Sequence, residues 1–329
     1  MRLLEGLDPA QHRAVVSDAE PLCVLAGAGS GKTRVLTRRV GHRVATGRAE
    51  AEHVLVLTFT RKAAGELRHR LRALGVHHHV AAGTFHGIAY AQLRRRWADR
   101  GERAPALLER KSQLLAPVLA RARSAGSPGV QTADLAGEIE WAKARMVAPS
   151  HYQAEVQAVG RTPPVPAAAM AAIYERYEHD KRRKGLVDFD DLLLSYVHAL
   201  ENDKEFAAGQ RWRYRHFFVD EFQDVNPVQF RLVTAWLGDR QDLCVVGDPN
   251  QAIYSWNGAD PGFLTEFALR FPGAEVVRLD HNHRSTPQVV AAGAAVLAPT
   301  PELDPTPGPR TGPRTTTVTA TRADGPLPV

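Results

Sequence analysis

Ala26-Gly-Ala-Gly-Ser-Gly-Lys-Thr33 follows the apolar run Pro21–Ala26 and opens a segment of helical periodicity, Lys32–Val44. Strand, glycine-rich loop and helix in that order form the context a phosphate-binding P-loop requires. The glycines let successive backbone N–H groups turn inward around phosphate oxygens, and the helix N-terminus adds partial positive charge. Lys32 supplies a point charge toward the β- and γ-phosphates, and Thr33 supplies a hydroxyl for Mg²⁺. Ala26 stands where the strict motif has glycine. The expectation is a nucleoside triphosphate site cradled by Ala28, Gly29, Ser30, Gly31, Lys32 and Thr33.

Further along, His216-Phe-Phe-Val-Asp-Glu-Phe-Gln-Asp224 ends an apolar run with two adjacent acids. Asp220 takes the second-strand role of holding Mg²⁺ through its water shell. Glu221 is placed to polarise an attacking water, which suits hydrolysis and disfavours a kinase, where water must be excluded. Four short apolar runs read as strands buried on both faces: Pro21–Ala26, Val54–Phe59, His216–Asp220 and Leu243–Asp248. Helical patterns such as Lys32–Val44 and Arg61–Leu74 lie between them. Alternation of this kind predicts a parallel sheet covered by helices on both faces.

The middle of the chain differs. Residues 90–185 are rich in Ala, Arg, Leu and Glu, contain no convincing strand and read as helical, with breaks near Gly126–Gly129 and Arg161–Pro166. They hold 17 Lys and Arg against 10 Asp and Glu, leaving 25 against 26 elsewhere in a chain of net charge +6. The basic excess therefore sits in one segment, as in a binder of phosphate backbones or in a solvated basic surface. From Pro299 onward, density in Pro, Gly and Thr reads as a linker or tail. No apolar stretch approaches the roughly 18 residues of a membrane span, and Met1–Ala10 lacks the apolar region of a secretory signal. A cytoplasmic protein is expected. Its two cysteines, Cys23 and Cys244, are expected as small core residues, and their number excludes a disulfide framework or a cysteine zinc site.

With these motifs in this order, the chain resembles superfamily 1 helicases of the UvrD/Rep/PcrA group over about residues 3–290. Leu7-Asp-Pro-Ala-Gln11 is similar to the Q motif, and Leu57-Thr-Phe-Thr-Arg-Lys-Ala-Ala64 and Gly83-Thr-Phe-His86 to two DNA-contacting motifs. Val187-Asp-Phe-Asp-Asp-Leu-Leu193 resembles a further signature that returns the chain from an inserted domain. Val246-Gly-Asp-Pro-Asn-Gln-Ala-Ile-Tyr-Ser-Trp-Asn-Gly258 resembles motif III, and Leu279-Asp-His-Asn-His-Arg-Ser-Thr286 resembles motif IV. The resemblance implies a RecA-like α/β core at 1–89 and 186–275 and an inserted all-helical subdomain at 90–185. Residues 276–329 would begin a second RecA-like domain or form a tail. It also implies ATP and Mg²⁺ as cofactors, single-stranded DNA and single-strand/duplex junctions as partners, 3′→5′ polarity, and a place in DNA repair.

Carried over residue by residue, Gln11 recognises adenine, Arg34 packs on one adenine face, Gln251 senses the γ-phosphate, and Arg284 is one of two arginine fingers. His283 stands where the family has an adenine-stacking tyrosine and offers a smaller face. Thr58, Phe59, Thr84, His86, Tyr254 and Trp256 would face DNA. The aromatic members lie at or just after strand ends, where an open parallel sheet places its ligands. Each stacked base is worth roughly 1–3 kcal/mol without sequence preference. Ordinary core aromatics would give the same pattern at any one of these positions.

After Thr286 no match to motifs V and VI is found, although Thr317–Ala320 resembles a first strand of the following domain. Two readings stay open: a helicase whose second half is absent here, through truncation or a separately encoded chain, or an ATP-dependent DNA-binding module with little turnover. The clusters Arg94–Arg96 and Lys181–Lys184 are candidates for duplex phosphate contacts. His77, His78 and His79 are expected to be solvated loop histidines, since neighbours on a short loop diverge and no cysteine completes a metal site.

Overall fold

The computed structural model describes residues 3–76, 80–124, 129–297 and 318–323, so the triple histidine and most of the proline-rich segment lie outside the described residues. The chain opens with α1 (Pro9–Val16), β1 (Leu22–Ala26), α2 (Lys32–Ala45), β2 (Val54–Thr58), α3 (Arg61–Ala73), β3 (Ala81–Thr84) and α4 (Phe85–Asp99). Next come β4 (Ala106–Leu107), α5 (Ser112–Ser124), α6 (Thr132–Ala144), α7 (Tyr152–Ala158), α8 (Ala167–Arg183) and β5 (Leu186–Val187). They are followed by α9 (Phe189–Asn202), α10 (Lys204–Arg213), β6 (His216–Val219), α11 (Pro227–Leu237) and β7 (Leu243–Gly247). The remaining elements are α12 (Gly262–Thr265), α13 (Phe267–Arg270), β8 (Glu275–Leu279), β9 (His281–Asn282), α14 (Pro287–Leu297) and β10 (Thr319–Ala320).

Six strands form one parallel sheet in the order β3-β2-β6-β7-β1-β8. Every residue of β1, β2 and β7 is buried, because helices cover both faces and leave no strand position for water. Alternate side chains divide between two apolar layers. Cys23, Leu25, Leu55 and Leu57 pack with α4, α9 and α11, whereas Leu22, Val24, Val54 and Val56 pack with α1, α2 and α3. Each such fully buried Val or Leu contributes about 1.5–3 kcal/mol relative to exposure. The fold is thus α/β with a parallel sheet and helices on both faces. A third apolar cluster, including Leu115, Ile139, Tyr152, Met170 and Tyr177, joins α5, α6, α7 and α8 apart from the sheet.

Several boundaries depart from the sequence reading. β3 and β8 are strands not anticipated. Ala81-Ala-Gly-Thr84 lacks the β-branched density that marks a buried strand, and Glu275-Val-Val-Arg-Leu279 sits at the sheet's edge with two charged residues. β8 pairs with β1 as far as Leu279, past the expected core limit at 275. α4 runs through residue 90, and its Phe85, Ala89 and Leu93 all pack in the sheet's apolar layer. The stretch 90–185 is not wholly helical either, because Ala106–Leu107 pairs in parallel with Leu186–Val187. That two-residue ribbon is too short to leave a signature in composition. No described helix is long and apolar enough to cross a membrane. Cys23 and Cys244 are both buried and free.

Candidate nucleotide site and its neighbouring aromatic pocket

The C-terminal ends of β1, β6 and β7 meet at one place, the end of an open parallel sheet where ligand sites collect. β1 gives way to the glycine loop, in which Gly29 (φ 71°) and Gly31 (φ 89°) adopt the left-handed conformation that side chains disfavour. α2 then starts at Lys32, so its first N–H groups face the loop's interior. Ser30 braces the turn by donating from its hydroxyl to the Gly27 carbonyl at 2.7 Å. Lys32 Nζ donates to the Ala26 carbonyl at 3.3 Å and lies 3.9 Å from Asp248 Oδ2.

Thr33 Oγ1 donates to Asp220 Oδ2 at 3.3 Å, and the Glu221 N–H donates to Asp220 Oδ1 at 3.1 Å. Burial, with Glu221 adding repulsion, pushes the Asp220 carboxyl up to about 6. A buried, incompletely neutralised carboxylate beside a hydroxyl is a hard oxygen set that fits Mg²⁺. Glu221 itself has φ 53°, one of two non-glycine residues in the left-handed region among those described. Such strain persists only where the surrounding structure holds it in place, and it concentrates at ligand and active sites. Gln251 donates to Asp248 Oδ2 at 2.5 Å.

Motif IV and the Q motif reach the same loop. Asn282 donates to the Ala28 carbonyl at 2.7 Å, and the His283 N–H donates to the Gly29 carbonyl at 3.0 Å. A Cβ on Gly29 would lie 2.7 Å from Asn282 Oδ1, so only glycine fits under that contact. His283 Nε2 is 2.9 Å from Asp8 Oδ2, and Asp8 caps α1 reciprocally with Gln11. Gln11 is buried and donates to the Ser30 carbonyl at 2.8 Å, so its amide braces the loop. Arg34 donates to the Gly6 carbonyl at 2.8 Å, while Arg284 is exposed with its Cβ beside Gly29.

Next to this site lies a cavity of about 290 Å³ lined by Thr58, Phe59, His86, Asp224, Tyr254 and Asn257, among others. Phe59 packs at 5.7 Å on Phe85. Burial lowers the His86 pKa, which keeps its imidazole neutral at neutral pH. Thr84 and Trp256 do not line the cavity. Thr84 Oγ1 caps α4 by accepting from the Gly87 N–H, and Trp256 stands 64% exposed, 6.5 Å from Tyr254.

The basic clusters are divided between engaged and exposed residues. Lys181 is buried among Glu178, Asp188 and Asp191, and Arg96 pairs with Asp203 at 2.9 Å, so neither is available to phosphate. Arg94, Arg95, Arg182, Arg183 and Lys184 remain exposed. Asp8, Gln223, Asp224, Asp248 and Asn282 stand at these sites without having been expected there. Only Asp248, an acid ending an apolar strand just as Asp220 does, carried a usable signal.

Residues 7–272 match the family described as UvrD/REP helicase N-terminal domain. The chain is 49% identical over 310 residues to the ATP-dependent DNA helicase UvrD2 of Mycobacterium tuberculosis, covering 90% of this chain and 44% of that protein. It is 34% identical over 299 residues to DNA helicase II of Escherichia coli, covering 90% and 41% respectively. UvrD1 of Mycobacterium tuberculosis is 33% identical over 309 residues, with 90% and 40% covered. The chain thus spans less than half the length of these relatives. With two thirds or more of its residues inside the family match and the motifs gathered at one sheet end, the chain belongs to the UvrD/REP helicase N-terminal domain family.

Proposed function

We propose that this chain is the ATP-binding, single-stranded-DNA-responsive part of a UvrD-type helicase motor, with ATP and Mg²⁺ as cofactors. The observation carrying this reading is the adjacency of two sites: the Lys32/Thr33/Asp220/Glu221 group and the cavity bordered by Phe59 and Tyr254. The backbone N–H groups of residues 28–33 would hold the phosphates, with Lys32 released from Ala26 and Asp248 toward the β- and γ-oxygens. Thr33 and Asp220 would hold Mg²⁺, whose positive charge offsets the charge that develops on the phosphates. Glu221 would accept the proton lost by the water that attacks the γ-phosphorus, as the bond to the bridging oxygen breaks and ADP leaves. Gln251 and Arg284 would face the γ-phosphate, and Gln11, Arg34 and His283 the adenine.

On the DNA side, Phe59, Tyr254 and Trp256 would stack bases, with Thr58, Thr84 and His86 lining the strand's path. The separate apolar cluster of α5–α8 supports reading residues 90–185 as an inserted subdomain, with the core at 1–89 and 186–275 and residues 276–329 leading into a second RecA-like domain. The finer assignments are 3′→5′ movement, action at single-strand/duplex junctions in DNA repair, a partner chain that completes the motor, and a cytoplasmic location. The first two rest on the family resemblance, and the last on a sequence without a membrane span or secretory signal. The test is ATP hydrolysis by the purified chain with and without oligodeoxythymidylate. Stimulation by the oligonucleotide is expected, and a rate indifferent to DNA sinks the motor reading for this polypeptide.

A further inference from the structure

The segment between the two sites contains a side chain that hydrogen-bonds to a residue of each. Gln223 follows Glu221 by two residues and is 1% exposed. Its Oε1 accepts from the Asp248 N–H at 2.9 Å, which fixes the amide's orientation and turns Nε2 toward two carboxylates. That nitrogen donates to Glu221 Oε2 at 2.9 Å and, over a longer 3.4 Å, to Asp224 Oδ2. The slot is built for it, since a Cβ on Gly247 would lie 2.7 Å from Gln223 Oε1. Asp224 in turn borders the aromatic cavity, and its Oδ1 is buried with no hydrogen-bond partner. Asp248 at the other end contacts both Lys32 and Gln251.

We infer that Asp224 is a positioning residue through which the aromatic pocket reports its occupancy to Glu221, by way of the shared Gln223 amide. This rests on the reading of the two sites as nucleotide and single-stranded DNA sites. One amide nitrogen serves two acids, so a change in how firmly it is held at Asp224 changes how firmly it is held at Glu221. An orphaned buried acceptor is costly, and a base or the water it displaces gives Asp224 Oδ1 a reason to move when the pocket fills. Burial, with Glu221 adding repulsion, pushes the Asp224 carboxyl up to about 6. A contact with differential strength in two states is what a coupling between sites requires.

The test measures binding rather than turnover. The affinity of the full chain for a fluorescent non-hydrolysable ATP analogue with Mg²⁺ is titrated with and without saturating oligodeoxythymidylate. The unmodified chain should bind the analogue on the order of tenfold more tightly, or more weakly, with DNA present. Asp224→Ala should bring that ratio close to one, while Asp224→Asn, which can still accept from Gln223, should restore most of it. A thermal melt of each variant separates lost coupling from lost fold. An alanine variant that couples like the unmodified chain overturns the inference. So does an unmodified chain that binds both ligands independently, although the two-site reading then survives. A chain that binds neither ligand removes the two-site reading, and the inference falls with it.

Discussion

Asp188–Asp191 and Asp220–Asp224 each place three acids just after a short strand, β5 in one case and β6 in the other. In the first stretch the acids are met by amines. Lys143 lies 2.7 Å from Asp188, 2.6 Å from Asp191 and 2.9 Å from Glu178. Lys181 adds contacts to Glu178 and Asp191, Lys111 reaches Asp190 at 2.7 Å, and the Tyr177 hydroxyl donates to Asp188. Burial pushes the Asp188 carboxyl up, yet Lys143, Lys181 and Lys111 together outweigh it and hold the group well below the usual carboxylate range. In the second stretch the nearest cation is Lys32, which is engaged with Asp248, and Asp220 and Asp224 are both pushed up. Charges already satisfied tie α6, α8 and α9 together, whereas charges left short of partners mark where ligands belong.

The contrast can be broken most severely at Glu221. Glu221→Gln keeps the shape but removes the proton acceptor, and DNA-stimulated hydrolysis should fall by about 10²–10⁴-fold with nucleotide affinity little changed. Retained turnover would mean that Glu221 is one more partnered acid like those at 188–191. Isosteric amides at the two strand ends should then act with opposite sign on stability. Asp188→Asn strands buried lysines and should cost about 3–5 kcal/mol in denaturant unfolding. Asp220→Asn relieves a carboxylate that burial disfavours, so the metal-free protein should be no less stable and should gain if anything. Equal losses for both would erase the distinction.

Acid separates the regions as well. Below about 6 a proton occupies Asp220 and Mg²⁺ must displace it, so Mg²⁺-dependent nucleotide binding should weaken by up to about tenfold per pH unit from there and stay flat above. Asp188 is depressed, so its contribution to stability is present in full above the ordinary carboxylate pKa, roughly 4, and is lost only as pH falls through its lower folded value. Between pH 7 and pH 5, nucleotide titrations should therefore shift while the Asp188→Asn stability difference holds. The smallest effect is expected at His283. His283→Tyr exchanges the Asp8 contact for a larger ring and should tighten nucleotide binding by about 2–10-fold, the worth of one aromatic contact. Equal affinities would remove the argument from ring size.

The P-loop, the acid pair of β6 and four of the six sheet strands were legible because a short run of neighbouring residues carries each signal. The rest depends on approach between segments distant in the chain. Asn282 meets Ala28, and Asp8 meets His283, across more than 250 residues, and no local pattern announces either contact. Gln223 looks like any residue of a loop until Gly247 supplies the slot beside it. Within the basic run Lys181–Lys184 the charge density was readable, but the engagement of Lys181 was not, because Asp191 of α9 comes from another element. β3 escaped notice because its neighbours, rather than its own residues, make it a strand.

One pairing has a mechanical consequence. β10 lies in parallel against β9, and Thr321 donates from its N–H to the Asn282 carbonyl at 2.9 Å. A Cβ on Gly27 would lie 2.6 Å from Val318 Cγ1. Asn282 is itself fastened to Ala28 in the glycine-rich loop. A pull on the polypeptide at Thr321 therefore travels to the P-loop through two hydrogen bonds, without crossing the sheet. The glycine-rich loop and the β9–β10 ribbon are thereby linked, so that Thr321 cannot shift far from Ala28 without breaking one of those two hydrogen bonds.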